Sequence, residues 1–395
     1  MENRFDIAIA GAGPAGLAAA VTAMGLRKDL KVLVLEKMSQ PAKKLAASGN
    51  GRGNLSNLQC PCRDEVLDFF KEAGIAVRAD EAGRIYPYSE EAKSVAAVLC
   101  KRAEKLGAVI MTDSEVCNAE ADPQGGFRIF VHSKKGKEEI FRAEKLLIAT
   151  GGKSYAVYGS TGDGYRLAES VGHSITDIEP ALISLIASNG FVPKLQGLSL
   201  RNISIKLLDG EKEIYSDFGE MMFTHYGVSG PVILSASSHM THPKEHNYKI
   251  VIDLKPALDE QTLDKRIQRD FAENTNKDFI NSLSKLLPNK LIPVIVKLSG
   301  IEPSEKVNQI TKVQRQNLVS LLKNFTVNIS DFRPINEAII TSGGVDVKEI
   351  NPKTMGSKIV DNLYFAGEVI DVDAYTGGFN LQVAFSTGYL CGMNI

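Results

Sequence analysis

Four short segments of the chain are apolar almost throughout, the pattern of parallel strands covered on both faces rather than of strands with one wet side. They are Phe5 to Ala10, the run KVLVLEK that ends in Glu36, Lys145 to Ala149, and Leu363 to Ala366. Between them, 64–74 and 90–106 carry helical spacing, and GFRIFVHSKKGKEEIFRA alternates as a β-hairpin with GK at its tip. The middle of the chain reads differently. ISIKLLDG, EKEIYSD and NYKIVIDL alternate like short antiparallel strands, whereas LDEQTLDKRIQRDFAENT and KVNQITKVQRQNLVSLLKN return to helical spacing, and prolines punctuate the run. The pattern predicts an α/β protein whose Rossmann-like dinucleotide-binding domain comes in two parts, 1–185 and 336–395. An inserted β-domain, 186–335, separates them and carries a helical excursion near 257–325.

The first apolar segment runs into GAGPAG and then the alanine-rich LAAAVTAMG. Gly11, Gly13 and Gly16 fit G-x-G-x-x-G between a strand and a helix, with separate duties: a tight turn, close approach of a pyrophosphate, and close helix–strand packing. Pro14 and Ala15 open a helix whose free N-terminal amides and dipole favour phosphate. Glu36 stands twenty residues beyond Gly16, where a carboxylate accepts both hydroxyls of an adenosine ribose and repels a 2'-phosphate. Lys37 follows it.

Composition works mainly by exclusion. A chain of 395 residues suits two or three domains, and 44% hydrophobic against 24% charged residues gives a sizeable core without extensive disorder. With 46 basic and 47 acidic side chains there is no global attraction to polyanions, so neither a nucleic-acid partner nor a membrane is expected. Five cysteines form no C-x-x-C, which removes a disulfide-reductase reading and suits a reducing compartment. His239, His242 and His246 fall in a polar run read as solvated loop, and no metal is expected. The opening MENRFDIAIAGAG breaks into glycines too early for a signal peptide or membrane span, so the expected location is the cytoplasm. Oligomeric state has no signal in the sequence.

The far end of the chain decides between dinucleotides. After Leu363 to Ala366 come Gly367 and Glu368, then Asp371, then Gly377-Gly378 opening a helix with Phe379, Asn380 and Leu381. A second glycine-opened helix offers amides to another part of a large cofactor, such as the electron-rich edge of a flavin, and Asp371 is placed for a ribityl or phosphate-side hydrogen bond through water. Thr150-Gly151 brings a third strand end back to the cofactor. The least ordinary segment is Lys43 to Asn57: Gly49, Gly51 and Gly53 allow close approach, Lys44 and Arg52 offer positive charge, and Ser48 and Asn54 add polar contacts. Thr161 and Asp163, in STGDG, are placed either to cap a helix starting near Gly164 or to serve in a cofactor or substrate loop.

These blocks carry a resemblance. GAGPAGLAAA, KKLAASGNGRGNLSN, LLIATGG, STGDGYRLAESVGH, FTHYGVSGPVIL, EAIITSGGVDVKEI and NLYFAGEVIDVDAYTGGFNLQVAFSTG occur in the order found in the BaiN-like family of FAD-dependent oxidoreductases, which includes bile-acid enoyl reductases and aminoacetone oxidases. ATGG followed by STGDGYRLAESVGH is more distantly similar to the fumarate reductase branch of flavoproteins. The resemblance implies FAD. It departs at SYAVYGS, where the family commonly carries a proline-containing stretch.

For chemistry, FTHYGVSGP is the richest block of the inserted domain, with His225, Tyr226 and Ser229 as candidate proton-handling side chains. Arg84 and Gln382 are weaker candidates for orienting a carbonyl or a flavin edge. No second G-x-G-x-x-G follows a strand, so NAD(P)H is expected as a transient electron donor rather than a resident cofactor. By family analogy the expected reaction is NAD(P)H-linked reduction of an activated carbon–carbon double bond. The alternatives are an oxidase or dehydrogenase of a small amine, and a flavin-containing nucleic-acid-modifying or regulatory protein.

Overall fold

The computed structural model describes residues 4–134 and 136–395, so the first three residues and Lys135, beside the expected hairpin tip, lie outside the described residues. The chain forms two compact units: the chain up to Ala181 together with Pro334–Ile395, and Leu182–Arg333.

In the first unit the main sheet has seven strands among the described residues. Val109–Met111, Val32–Leu35 and Arg4–Ala10 lie parallel in that order, and Arg4–Ala10 pairs in parallel with residues 142–148 of the long strand Glu138–Ile148. The early part of that long strand pairs antiparallel with Phe127–Ser133, which pairs with Ser114–Ala121; its last three residues take Leu363–Phe365 in parallel. Ile7, Ile9, Leu33, Leu147 and Phe365 are each at most 1% exposed, as two covered faces require.

Two helices set the geometry of that unit. Pro14–Leu26 and Phe379–Asn394 pack through small residues: a Cβ on Gly388 would lie 2.3 Å from the Ala15 carbonyl oxygen, and one on Gly392 would lie 2.6 Å from that of Ala19. Ala15 and Ala19 climb one helix as Gly388 and Gly392 climb the other, so the helices run parallel. Their N-termini therefore face the same way, and the C-terminal helix starts about eight residues, roughly 12 Å, further out.

The second unit is built on a closed six-stranded barrel among the described residues. Its order is Leu185–Ala187, Gly227–Ser229, Lys212–Phe223, Ser199–Asp209, Tyr248–Asp253 and Phe325–Phe332, which closes on the first. Ile205, Leu207, Ile250, Ile252, Phe325 and Val327 are buried among its apolar residues. The helices Glu260–Ala272, Phe279–Ser282, Ile292–Ser299 and Lys312–Lys323 fill the connection between Tyr248–Asp253 and Phe325–Phe332. The last is shorter than the helical spacing of KVNQITKVQRQNLVSLLKN implies. Thr311 and Gln314 form a capping box, with the Gln314 amide donating to Thr311 Oγ1 (3.2 Å) and the Thr311 amide to Gln314 Oε1 (2.8 Å), which fixes the start at Lys312. Among the described residues no helix is long and apolar enough to cross a membrane.

Candidate functional site

The first strand–helix turn is shaped by its three glycines. Gly11 has φ +105°, and a Cβ there would sit 2.4 Å from the Ala149 carbonyl oxygen; one on Gly16 would sit 2.0 Å from the Gly11 oxygen. Gly13 differs, since a Cβ there meets nothing within 4 Å and the space before Pro14–Leu26 stays open. No acidic side chain occupies that helix's first turn, so its positive end is not neutralised from within. Glu36 reaches back to the same turn, accepting from the Ala12 amide (3.0 Å) and the Met38 amide (2.8 Å). Burial pushes its carboxyl up, opposed by those two amides and by Lys37 and Lys43.

A second group gathers beside Ala15. A Cβ on Gly367 would come within 2.9 Å of the Ala15 Cβ, which puts Glu368 next to the turn. Lys44 Nζ lies 2.6 Å from Glu368 Oε2 and 2.8 Å from Ser154 Oγ. Glu368 Oε1 accepts from the Thr341 amide (3.0 Å) and Ser154 Oγ (3.1 Å), and Thr341 Oγ1 accepts from the amides of Lys153 and Ser154. Ser154 and Thr341 were not singled out from the sequence; the only signal for Thr341 was its place in the EAIITSGG block.

Thr161 and Asp163 do not cap their helix. Asp163–Ser170 has Gly162 at its N-cap and no side-chain cap bond. Asp163 is drawn away by Lys37 (2.5 Å) and Arg166 (2.8 Å), and Thr161 bonds to both Lys37 and Asp163. An ammonium outbids a backbone amide for a carboxylate because the bond is charged on both sides.

The glycine-rich loop begins as the short helix Lys43–Ala47 and turns at Ser48–Gly51, where Gly49 and Asn50 are both left-handed at φ +56°. Gly51 and Gly53 also have positive φ, and a Cβ on Gly53 would crowd Ala92 Cα at 3.1 Å. Arg52 stacks on Tyr86, 4.4 Å from the ring centre, and pairs with Glu90 at 3.2 Å, so its charge is shared with a carboxylate. The Asn54 side-chain amide bridges the Ser56 carbonyl (3.2 Å) and the Gly378 amide (3.1 Å), joining this loop to the start of Phe379–Asn394. Asn380 secures the approach to that helix through Ala374 and Tyr375, Gly377 has φ +111°, Leu381 packs on the core, and the Asp371 amide donates to Val345. Gln382 is buried with its amide engaged by Ser56, Cys62 and Ser386, and Arg84 pairs with Asp80.

These residues fit a dinucleotide with a second electron-rich end. One open glycine fronts one helix N-terminus, a second N-terminus faces the same way, a carboxylate stands at the end of the second strand, and the Ser48 and Thr150 hydroxyls are shielded from water without a partner. Unpartnered buried hydroxyls call for a ligand or water. Glu36, the first turn and Lys44 would hold the adenosine diphosphate portion, and the amides opening Phe379–Asn394 the flavin edge.

In the second unit, His225 and Tyr226 form the tip of a two-residue hairpin closed by bonds between Thr224 and Gly227. Gly227 permits a close pass, since a Cβ there would lie 1.9 Å from the Leu185 carbonyl oxygen. His225 is exposed and meets the Tyr226 ring edge-on at 4.9 Å, while Arg333 lies over the same ring at 4.3 Å. Ser229 Oγ accepts from Ser184 Oγ at 2.7 Å. Arg333 joins this group from more than 100 residues away, and nothing in its local sequence marks it.

A family model described as HI0933-like protein Rossmann domain matches residues 62–394. The 3-dehydro-bile acid delta(4,6)-reductase of Clostridium scindens is 30% identical over 98% of this chain and 98% of its own length. The ribosomal RNA dihydrouridine synthase of Haemophilus influenzae is 31% identical over 100% of this chain and 99% of its own. A 3-ketosteroid delta1-dehydrogenase from Sterolibacterium denitrificans shares the fold, with a TM-score of 0.53 at 12% identity and 99% of both chains covered. The second relative overturns the expectation that nucleic acid plays no part: a near-full-length relative acts on RNA, and a whole-chain charge balance does not report on a local surface. This chain is an FAD-dependent oxidoreductase and belongs to the HI0933-like family.

Proposed function

We propose that the enzyme saturates a carbon–carbon double bond conjugated to a carbonyl, using electrons delivered by NAD(P)H. The observation that carries this reading is that two near-full-length relatives with unlike substrates, a delta(4,6)-reductase and a dihydrouridine synthase, both have names that describe saturation of a ring double bond. When bound, FAD supplies two-electron chemistry, taking hydride from a nicotinamide and giving it to carbon. The chain's part is to hold the cofactor through the first glycine turn, Glu36, Lys44 and the start of Phe379–Asn394, and to deliver a proton to the second carbon. His225 and Tyr226, presented on one hairpin tip and braced by Arg333, are the proton donors of this reading; Ser229, bonded to Ser184, steadies the strand behind them.

The test is anaerobic reduction of the holoenzyme by NADH or NADPH in a stopped-flow spectrometer, followed by mixing with an unsaturated ring ketone, a uridine-containing RNA, or oxygen. Rapid reoxidation by the ketone or the RNA, with saturated product, is the expected result. Fast reoxidation by oxygen with peroxide release, and none by either acceptor, sinks the reading in favour of an oxidase.

A further inference from the structure

The segment Tyr155–Tyr158 is anchored firmly at its base and apolar at its tip. Tyr155 has φ +54°, a conformation bulky side chains avoid and keep only where their surroundings impose it. The Tyr158 amide donates to the Tyr155 carbonyl (2.8 Å) and the Gly159 amide to that of Ala156 (3.0 Å), which makes one tight turn. That turn sets the two tyrosine rings 5.8 Å apart, inclined at 48°, with Val157 72% exposed between them. Such a cluster gains nothing from water.

Its base is fixed to the segment Glu36–Met38. A Cβ on Gly159 would lie 2.8 Å from Met38 Cγ and 3.9 Å from Glu36 Oε1, so the turn rests against the carboxylate read as the ribose acceptor. Lys37 bonds to Thr161 and Asp163 just beyond the turn, and the Gly162 amide donates to Gly152 (3.1 Å). The aromatic tip is thus rooted beside Glu36 on one side and the end of Glu138–Ile148 on the other.

We propose that Tyr155, Val157 and Tyr158 form an aromatic flap that closes on the adenine of FAD. The inference rests on the cofactor reading of Glu36. Adenine is joined to the ribose that this carboxylate accepts, and it presents flat apolar faces that aromatic rings stack on.

The experiment is calorimetric titration of cofactor-stripped full-length protein with FAD, ADP and FMN. Replacing both rings, Tyr155→Ala with Tyr158→Ala, should weaken FAD and ADP by a similar factor, about 5- to 100-fold as for a lost base–aromatic stack, and leave FMN unchanged because it lacks adenosine. The Tyr155→Phe, Tyr158→Phe protein keeps the rings and should bind all three like wild type, which guards against a folding artefact. Unchanged FAD and ADP binding in the alanine variant, or equal loss of FMN, overturns the flap. Wild-type protein that binds neither FAD nor ADP instead overturns the cofactor reading beneath it.

Discussion

Replacing Gly16 by alanine should damage the fold, whereas the same change at Gly13, three residues earlier, should damage only cofactor binding. A Cβ on Gly16 would come 2.0 Å from the Gly11 carbonyl oxygen and 3.1 Å from Ile9 Cγ2. An ordinary carbon–oxygen contact is about 3.2 Å, so a backbone carbonyl in the first strand–helix turn must move by about 1 Å. Neither Gly11 nor the buried Ile9 is a flexible side-chain end that can swing aside. Overpacking of this kind costs about 3 kcal/mol, which for a unit of this size lowers Tm by roughly 6–12 °C. At Gly13 a Cβ meets no atom within 4 Å, and φ −79° with ψ −175° is open to alanine. The restricted unfolded chain gains about 0.4–1 kcal/mol, and alanine's poorer N-capping loses a similar amount, so stability should hardly change. The added methyl instead occupies the space a pyrophosphate would approach through. Thermal melts of the two apoproteins, with FAD titrations of each, separate the effects. A Gly13→Ala protein that binds FAD as tightly as wild type refutes the placement of the pyrophosphate; a Gly16→Ala protein with unchanged Tm refutes the packing argument.

Lys44→Met removes the cation from a partly buried pair, leaving Glu368 with the Thr341 amide and Ser154 hydroxyl as donors; the expected cost is about 1–2 kcal/mol, recovered in part by Glu368→Gln in a double-mutant cycle. Burial holds His173 below its ordinary value against the pull of Glu349. The unfolded chain therefore takes up the proton first, so this contribution to stability is intact above about pH 6.5 and declines as pH falls toward the folded value; melts across that window should show a smaller decline in His173→Phe. His225→Asn or Tyr226→Phe should lower kcat by about 10²–10⁴ with FAD content unchanged if that residue donates the proton, measured as the rate of flavin reoxidation by the acceptor. Loss of FAD in either variant would mean a structural role instead.

Four strands of the first unit, Phe5 to Ala10, the run ending in Glu36, Lys145 to Ala149 and Leu363 to Ala366, were legible because each is apolar almost throughout and soon meets glycine or a carboxylate, whereas Val109–Met111 and Ser114–Ala121 carry no such signal. The inserted unit was legible as alternating strands, but closure of its barrel was not, since closure depends on Leu185–Ala187 and Gly227–Ser229, three residues each and too short to show a period. Reading Thr161 and Asp163 as caps failed for a related reason. Local sequence offers them nearby amides, but the winning partner, Lys37, comes from 124 and 126 residues away. The same distance hid Ser154 and Thr341, which meet across 187 residues. Local chemistry predicts local conformation; which charges meet is set by sheet order.

The charge balance misled for a different reason. The sequence carries 46 basic and 47 acidic residues, yet Leu182–Arg333 holds 19 basic against 16 acidic side chains and the rest of the chain 27 against 31. A mean near zero therefore averages a mildly cationic unit with an anionic one. Net charge governs non-specific attraction to a polyanion, whose strength falls steeply with salt. It says little about an enzyme that takes one base into a pocket, where stacking and hydrogen bonds to that base carry recognition.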